Sequence, residues 1–183
     1  IFQTQSISYK PFAKEQKMLE FGIVGAGRLG TTHADSLSKM DGVKLSAVYD
    51  ICEEKSQIMK QKYGPSICSS LAELVSKADA VIVATPSDCH IEGVRAAVQA
   101  GKAVFTEKPL CRFAEQAEEY RSILKDFRKT FGIGFVRRHM LKTIKFKKML
   151  DSGTIGRIRF CNVDLPFGAY KRMYGDWFTD YKR

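Results

Sequence analysis

The feature that most constrains this chain is a glycine-spaced loop, Gly25-Ala26-Gly27-Arg28-Leu29-Gly30, set directly after the apolar run Leu19 to Val24. A run of that kind reads as a buried strand, and glycines at these offsets suit a strand-to-helix turn wrapped around an anion. Gly25 is expected to permit the tight turn, Gly27 to let backbone approach a pyrophosphate, and Gly30 to let helix pack closely on strand. The pyrophosphate would rest on the N-terminus of a helix beginning near Arg28, where unpaired N–H groups and the helix dipole favour negative charge. Ala26, Arg28 and Leu29 complete the turn and join the expected cofactor-binding set. Spacing alone is a weak signal; the strand before the loop, the helix after it and a carboxylate further along give it force.

From Leu19 onward, short apolar runs alternate with helical stretches, the pattern of parallel strands joined by crossover helices. Strands are expected at Leu19 to Val24, Val43 to Tyr49, Ser66 to Cys68, Asp79 to Ala84, Ala103 to Thr106 and Thr130 to Val136. Helices are expected at about Leu29 to Met40, Glu53 to Tyr63, Ser70 to Lys77, Ile91 to Ala100 and Phe113 to Phe127, with Gly101 placed to end the fourth. The expected fold class is therefore α/β, a Rossmann doubly wound parallel sheet over residues 18–137. It is preceded by an N-terminal arm at 1–17 and followed at 138–183 by the beginning of an incomplete α+β domain. In that last part the spacing predicts a helix from Leu141 to Ser152 that hides one apolar face, and a half-buried strand at Arg157 to Phe160.

Asp50 stands 20 residues beyond Gly30, at the end of the second expected strand. A carboxylate there can accept hydrogen bonds from the adenosine ribose hydroxyls and would repel a 2′-phosphate, favouring NAD while leaving NADP open, the more so with Lys55 nearby. The alternative is that Asp50 only caps the next helix.

Charge and cysteine content exclude several classes. No apolar run approaches the roughly 20 residues that span a bilayer, so membrane insertion is not expected. The net charge of +10 is confined to one end, with 14 basic against 15 acidic residues over 1–120 and 16 against 5 over 121–183. Such a stripe can bind polynucleotide, but it lacks the interleaved aromatics of a stacking surface; a solvated basic face is the preferred reading, and a nucleic-acid partner is not expected. Cysteines at 52, 68, 89, 111 and 161 form no CxxC pair. They read as reduced thiols of a cytoplasmic protein, with no structural metal.

Two more loops fall at the carboxyl ends of strands, where open α/β sheets place ligands: Ala84-Thr85-Pro86-Ser87-Asp88-Cys89-His90 and Thr106-Glu107-Lys108-Pro109. With GIVGAGRLGTTHADSL at 22–37, GFVRRHM at 134–140, SGTIG at 152–156 and GDWFTD at 175–180, the chain resembles the Gfo/Idh/MocA family of NAD(P)-dependent sugar and polyol oxidoreductases. The Glu107-Lys108-Pro109 tripeptide is the most specific element. The resemblance implies that Lys108 is catalytic, polarising the substrate hydroxyl beside the nicotinamide, and that Glu107 lies near the nicotinamide ribose, with Pro109 stiffening the turn through a cis peptide. It implies that Ala84, Thr85 and Pro86 line the cofactor cleft. His90, also in the expected cofactor-binding set, and His33 match common family histidines and read as packing or loop residues rather than acids or bases. Arg137 and Arg138 are candidate substrate contacts, although His139-Met140-Leu141 departs from the family's aromatic-Asp-Pro continuation.

The family also completes its catalytic set with an aspartate and a histidine after a glycine-rich turn beyond the DWF segment, and nothing here corresponds to them. The function expected is hydride transfer between nicotinamide and a secondary hydroxyl or ketone of a sugar, polyol or inositol-like substrate, with this chain lacking the full set and like chains assembling through a C-terminal sheet. The alternative is a non-catalytic dinucleotide-binding or regulatory protein.

Overall fold

In the computed structural model, which describes residues 17–164, the apolar runs become six strands of one sheet. They are β1 (Leu19–Val24), β2 (Val43–Tyr49), β3 (Ser66–Ile67), β4 (Ala80–Val83), β5 (Ala103–Thr106) and β6 (Phe131–Ile133). Their order across the sheet is β3-β2-β1-β4-β5-β6, and every neighbouring pair is parallel. Parallel pairing forces a crossover after each strand. The crossovers are α1 (Arg28–Leu37), α2 (Glu53–Tyr63), α3 (Leu71–Ser76), α4 (His90–Gln99) and α5 (Ala114–Leu124), and the chain continues through a 3-10 turn (Val136–His139) into α6 (Leu141–Asp151).

The sheet carries a core on each face because successive strand side chains point to opposite sides. Ile23, Val48 and Ile82 pack with Ala34 and Leu37 of α1 and Met59 of α2. Val24, Ala47, Val81 and Val83 pack on the other face with Leu74 of α3, Val94 and Ala97 of α4 and Tyr120 of α5. All four residues of β4 are buried, as expected of a central parallel strand covered on both sides. The strand order reverses between β1 and β4, so the loops leaving these two strands diverge to opposite faces and leave a crevice at the sheet's carboxyl edge.

Several expectations need correction. The sixth strand stops at Ile133 instead of running to Val136. The amides of Phe135 and Val136 turn back to the carbonyls of Ile133 and Gly134 at 2.7 and 2.8 Å. These are two successive three-residue turns that no propensity of Phe or Val would suggest. Arg157 to Phe160 form no strand, because among the described residues there is no strand beside them to pair with. The expected hidden face of α6 is likewise largely open: Leu141, Ile144 and Met149 are exposed, and Leu150 is half-buried. Residues 1–16 of the expected arm, and the GDWFTD segment with the rest of the proposed second domain after Asp164, lie outside the described residues.

Candidate active site

The glycine loop joins β1 to α1, and its glycines meet distinct steric needs. Gly25 has φ of +97°, and a Cβ there would come within 2.8 Å of the Ala84 carbonyl group and the Thr85 nitrogen. A side chain on Gly30 would overlap the Gly25 carbonyl oxygen, whereas one on Gly27 would have nothing within 4 Å. The outer turn is therefore open, and α1 begins from Gly27 with no side-chain cap and no acidic residue in its first turn. A helix start with no side-chain cap and an open outer turn suits a pyrophosphate.

Asp50 ends β2 and folds its carboxylate over this loop. Oδ2 accepts the Ala26 N–H at 2.7 Å and Oδ1 accepts the Cys52 N–H at 2.8 Å. The helix cap itself is Cys52, so Asp50 does more than the capping alternative required: it ties the glycine loop to the start of α2 while remaining part-exposed.

The second and third loops lie beside the first because β4 and β5 are its neighbours on one side of β1. Continuing ladder bonds hold them in register: Ala84 N–H to Val24 O at 2.8 Å and Glu107 N–H to Val83 O at 2.9 Å. Ala84 is buried, and Thr85 and Pro86 are half-buried. The Thr85 hydroxyl oxygen is enclosed without a hydrogen-bond partner among the described residues. Lys108 is exposed on a bend, and the Lys108-Pro109 peptide is cis.

Thr106, Glu107 and His90 are buried polar residues of this edge. Glu107 Oε1 meets His33 Nε2 at 2.8 Å and Oε2 accepts the Lys108 N–H at 3.2 Å. Burial by itself would raise the Glu107 carboxyl, but His33 and the Lys108 amide outweigh it and hold the group below the usual carboxylate range. His90 is 1% exposed, with Nδ1 at 3.1 Å from the Pro109 carbonyl oxygen and Nε2 at 2.9 Å from that of Thr85. Burial pushes its pKa down, against the opposing pull of those two carbonyls and of Glu107 and Asp88. A neutral ring donates from one nitrogen only, so one carbonyl receives its hydrogen at a time.

The three loops are thus brought together. Arg137 and Arg138 are not part of them: both are exposed on the 3-10 turn, where the Arg138 guanidinium lies 5.7 Å from the Phe135 ring. Sequence reasoning missed Gly134, where a Cβ would approach the Glu107 carboxylate to 2.9 Å. Gly134 directly follows β6 and donates its N–H to the Thr106 carbonyl at 2.8 Å; a glycine immediately after an apolar strand run was the available signal. All five cysteines are free, no group of His, Cys, Asp and Glu among the described residues could hold a metal ion, and no described helix is long and apolar enough to cross a membrane.

Residues 19–135 match the profile of an oxidoreductase family with an NAD-binding Rossmann fold, GFO_IDH_MocA. A myo-inositol 2-dehydrogenase of Thermotoga maritima is 33% identical over 170 residues, 88% of this chain and 51% of that protein. A glucose-6-phosphate 3-dehydrogenase of Bacillus subtilis is 30% identical over 168 residues, 89% of this chain and 47% of that one. Among solved structures, scyllo-inositol dehydrogenase from Lactobacillus casei, with bound NAD(H) and scyllo-inositol, superimposes with a TM-score of 0.74 at 31% identity. That match covers 78% of this chain and 43% of the other. The chain spans about half the length of the curated relatives it matches, or less.

Proposed function

We propose, on the premise that this chain belongs to the GFO_IDH_MocA oxidoreductase family with its NAD-binding Rossmann fold, that it is the cofactor-holding and alkoxide-stabilising part of a dehydrogenase. The substrate class is a sugar, polyol or inositol-like secondary alcohol, or the ketone in the reverse direction. The observation that carries the reading is the placement of Lys108 on the loop after β5, at the same carboxyl edge as the glycine loop after β1 and one strand beyond the β1/β4 point where the strand order reverses.

In this reading the N-terminus of α1 and the open turn at Gly27 hold the pyrophosphate, Asp50 accepts from the adenosine ribose, and Ala84, Thr85, Pro86 and Glu107 border the nicotinamide half. The dinucleotide, when bound, supplies the hydride acceptor. The Lys108 ammonium donates to the substrate oxygen and stabilises the alkoxide charge left there as the hydroxyl proton departs, from which the carbon gives up hydride; in the reverse direction it stabilises the charge that grows on the ketone oxygen as hydride arrives. His33 and His90 are each engaged with their own partners, so neither suits the role of proton acceptor. Arg137 and Arg138 are retained only as substrate contacts made from the 3-10 turn beyond β6. Like chains assemble through the C-terminal part, which light scattering on a purified sample would test.

The reading is tested by titrating this chain with NAD and with NADP. Saturable NAD binding with weaker NADP binding supports it, and no binding of either refutes it. The second reading is a dinucleotide-binding protein without turnover. It predicts binding without alcohol-dependent NAD reduction.

A further inference from the structure

The exposed side chain of Lys108 leaves its placement to the backbone on either side, and a histidine holds each side. Before it, Glu107 is fixed by His33 at 2.8 Å and in turn accepts the Lys108 N–H at 3.2 Å. A Cβ at Gly134 would come within 2.9 Å of that carboxylate, and the Phe105 ring packs edge-on against His33 with centroids 5.3 Å apart. After it, the Pro109 carbonyl lies 3.1 Å from His90 Nδ1, whose other ring nitrogen lies 2.9 Å from the Thr85 carbonyl. The origins of the two histidines matter more than their distances. His33 belongs to α1, the helix behind the glycine loop, and His90 opens α4, the helix behind the Thr85 loop.

We propose that His33 and His90 are positioning residues for Lys108, two struts that run from the helices behind the dinucleotide-binding loops to Glu107 and Pro109. Seating the dinucleotide and placing the lysine thereby become one coupled event. The inference rests on the reading of these loops and of Lys108 given above, and it adds a physical route between them. A ligand that orders the glycine loop orders α1, and through His33 orders the residue before the lysine. One that fills the crevice at Thr85 fixes a carbonyl which shares His90 with the residue after it. Contacts of this kind carry coupling when they link elements that would otherwise move separately.

The test uses the ¹⁵N-labelled chain, following the Lys108 backbone amide by NMR while NAD is added, with affinity read from the same titration. In the unsubstituted chain NAD should shift the Lys108 amide. His33→Phe and His90→Phe should each abolish that shift and weaken NAD binding about fivefold or more. His33→Gln, which keeps a donor for Glu107, should restore both. Gly134→Ala, which pushes on Glu107 without altering either histidine, should reproduce the His33→Phe pattern, and it decides the matter should a phenylalanine variant fail to fold. Folded Phe variants and Gly134→Ala that keep the NAD-induced Lys108 shift, with affinity within twofold of the parent, would overturn the proposal while leaving the dinucleotide site intact. Absence of NAD binding in the parent chain would overturn the underlying reading as well.

Discussion

Replacing Asp50 separates the structural from the ligand-binding role of one carboxylate. Asp50→Ala removes two charge-assisted bonds, to the Ala26 N–H at 2.7 Å and the Cys52 N–H at 2.8 Å. Ala26 is 7% exposed, so its N–H is left without a partner, whereas the half-buried Cys52 is better placed to meet water. With a bond to a charged group worth roughly 1.5–3 kcal/mol and a rehydrated donor recovering part of that, the loss is about 2–4 kcal/mol. For a domain of this size it lowers Tm by roughly 4–16 °C. If the same carboxylate also accepts from the adenosine ribose, NAD affinity falls about 10- to 100-fold, equivalent to about 1.4–2.8 kcal/mol, and the gap between NAD and NADP narrows because a negative charge has gone. Thermal melts followed by cofactor titration below the variant's transition measure the two effects on one sample. A variant that melts lower yet binds NAD and NADP as the parent does would show that Asp50 only braces the loop.

Lys108→Ala, made in a protein complete enough to turn over, should lower kcat by about 100-fold or more with little change in NAD affinity; near-normal kcat in steady-state assays removes its catalytic assignment. Gly30→Ala drives a methyl group into the Gly25 carbonyl oxygen, where overpacking costs about 1–3 kcal/mol. It should abolish NAD binding while circular dichroism still reports the fold, and intact binding contradicts the close approach of α1. The pH dependence comes from His90, whose folded pKa burial holds below its ordinary 6.5. The unfolded chain then takes up a proton first, so stability is full above pH 6.5 and declines as pH falls below it. The decline continues below the ordinary 4.5 of Glu107, whose folded pKa is also depressed. Urea midpoints across this range should fall in His90→Gln only in the lower window, and an identical profile in parent and variant refutes the assignment.

Much of this architecture was legible in the chain. Strands β1, β2 and β5 and helix α2 begin and end at the expected residues, because each is an apolar or charged-periodic run bounded by glycine, proline or a polar turn. The end of β6 was not legible: Phe135 and Val136 favour strands, and their turn is decided by backbone bonds to Ile133 and Gly134. The solvent exposure of α6 was hidden for a related reason. Its apolar spacing specifies a face to cover, but spacing carries no information about which segment covers it. In the site, the glycine loop and Asp50 were marked by motif spacing, and Lys108 by the resemblance of Glu107-Lys108-Pro109 to the family's tripeptide. The link from His33 to Glu107 joins residues 74 apart in sequence, and only the adjacency of β1, β4 and β5 brings them together.

The central claim, that the carboxyl edge of this sheet is a dinucleotide site with Lys108 beside the nicotinamide, is tested most directly by a crystal structure of the chain soaked with NAD. The account predicts the pyrophosphate on the first turn of α1 over Gly27, the adenosine ribose on Asp50 and the nicotinamide within reach of Lys108. A dinucleotide bound elsewhere, or seated on the glycine loop with its nicotinamide turned away from Lys108, would contradict it.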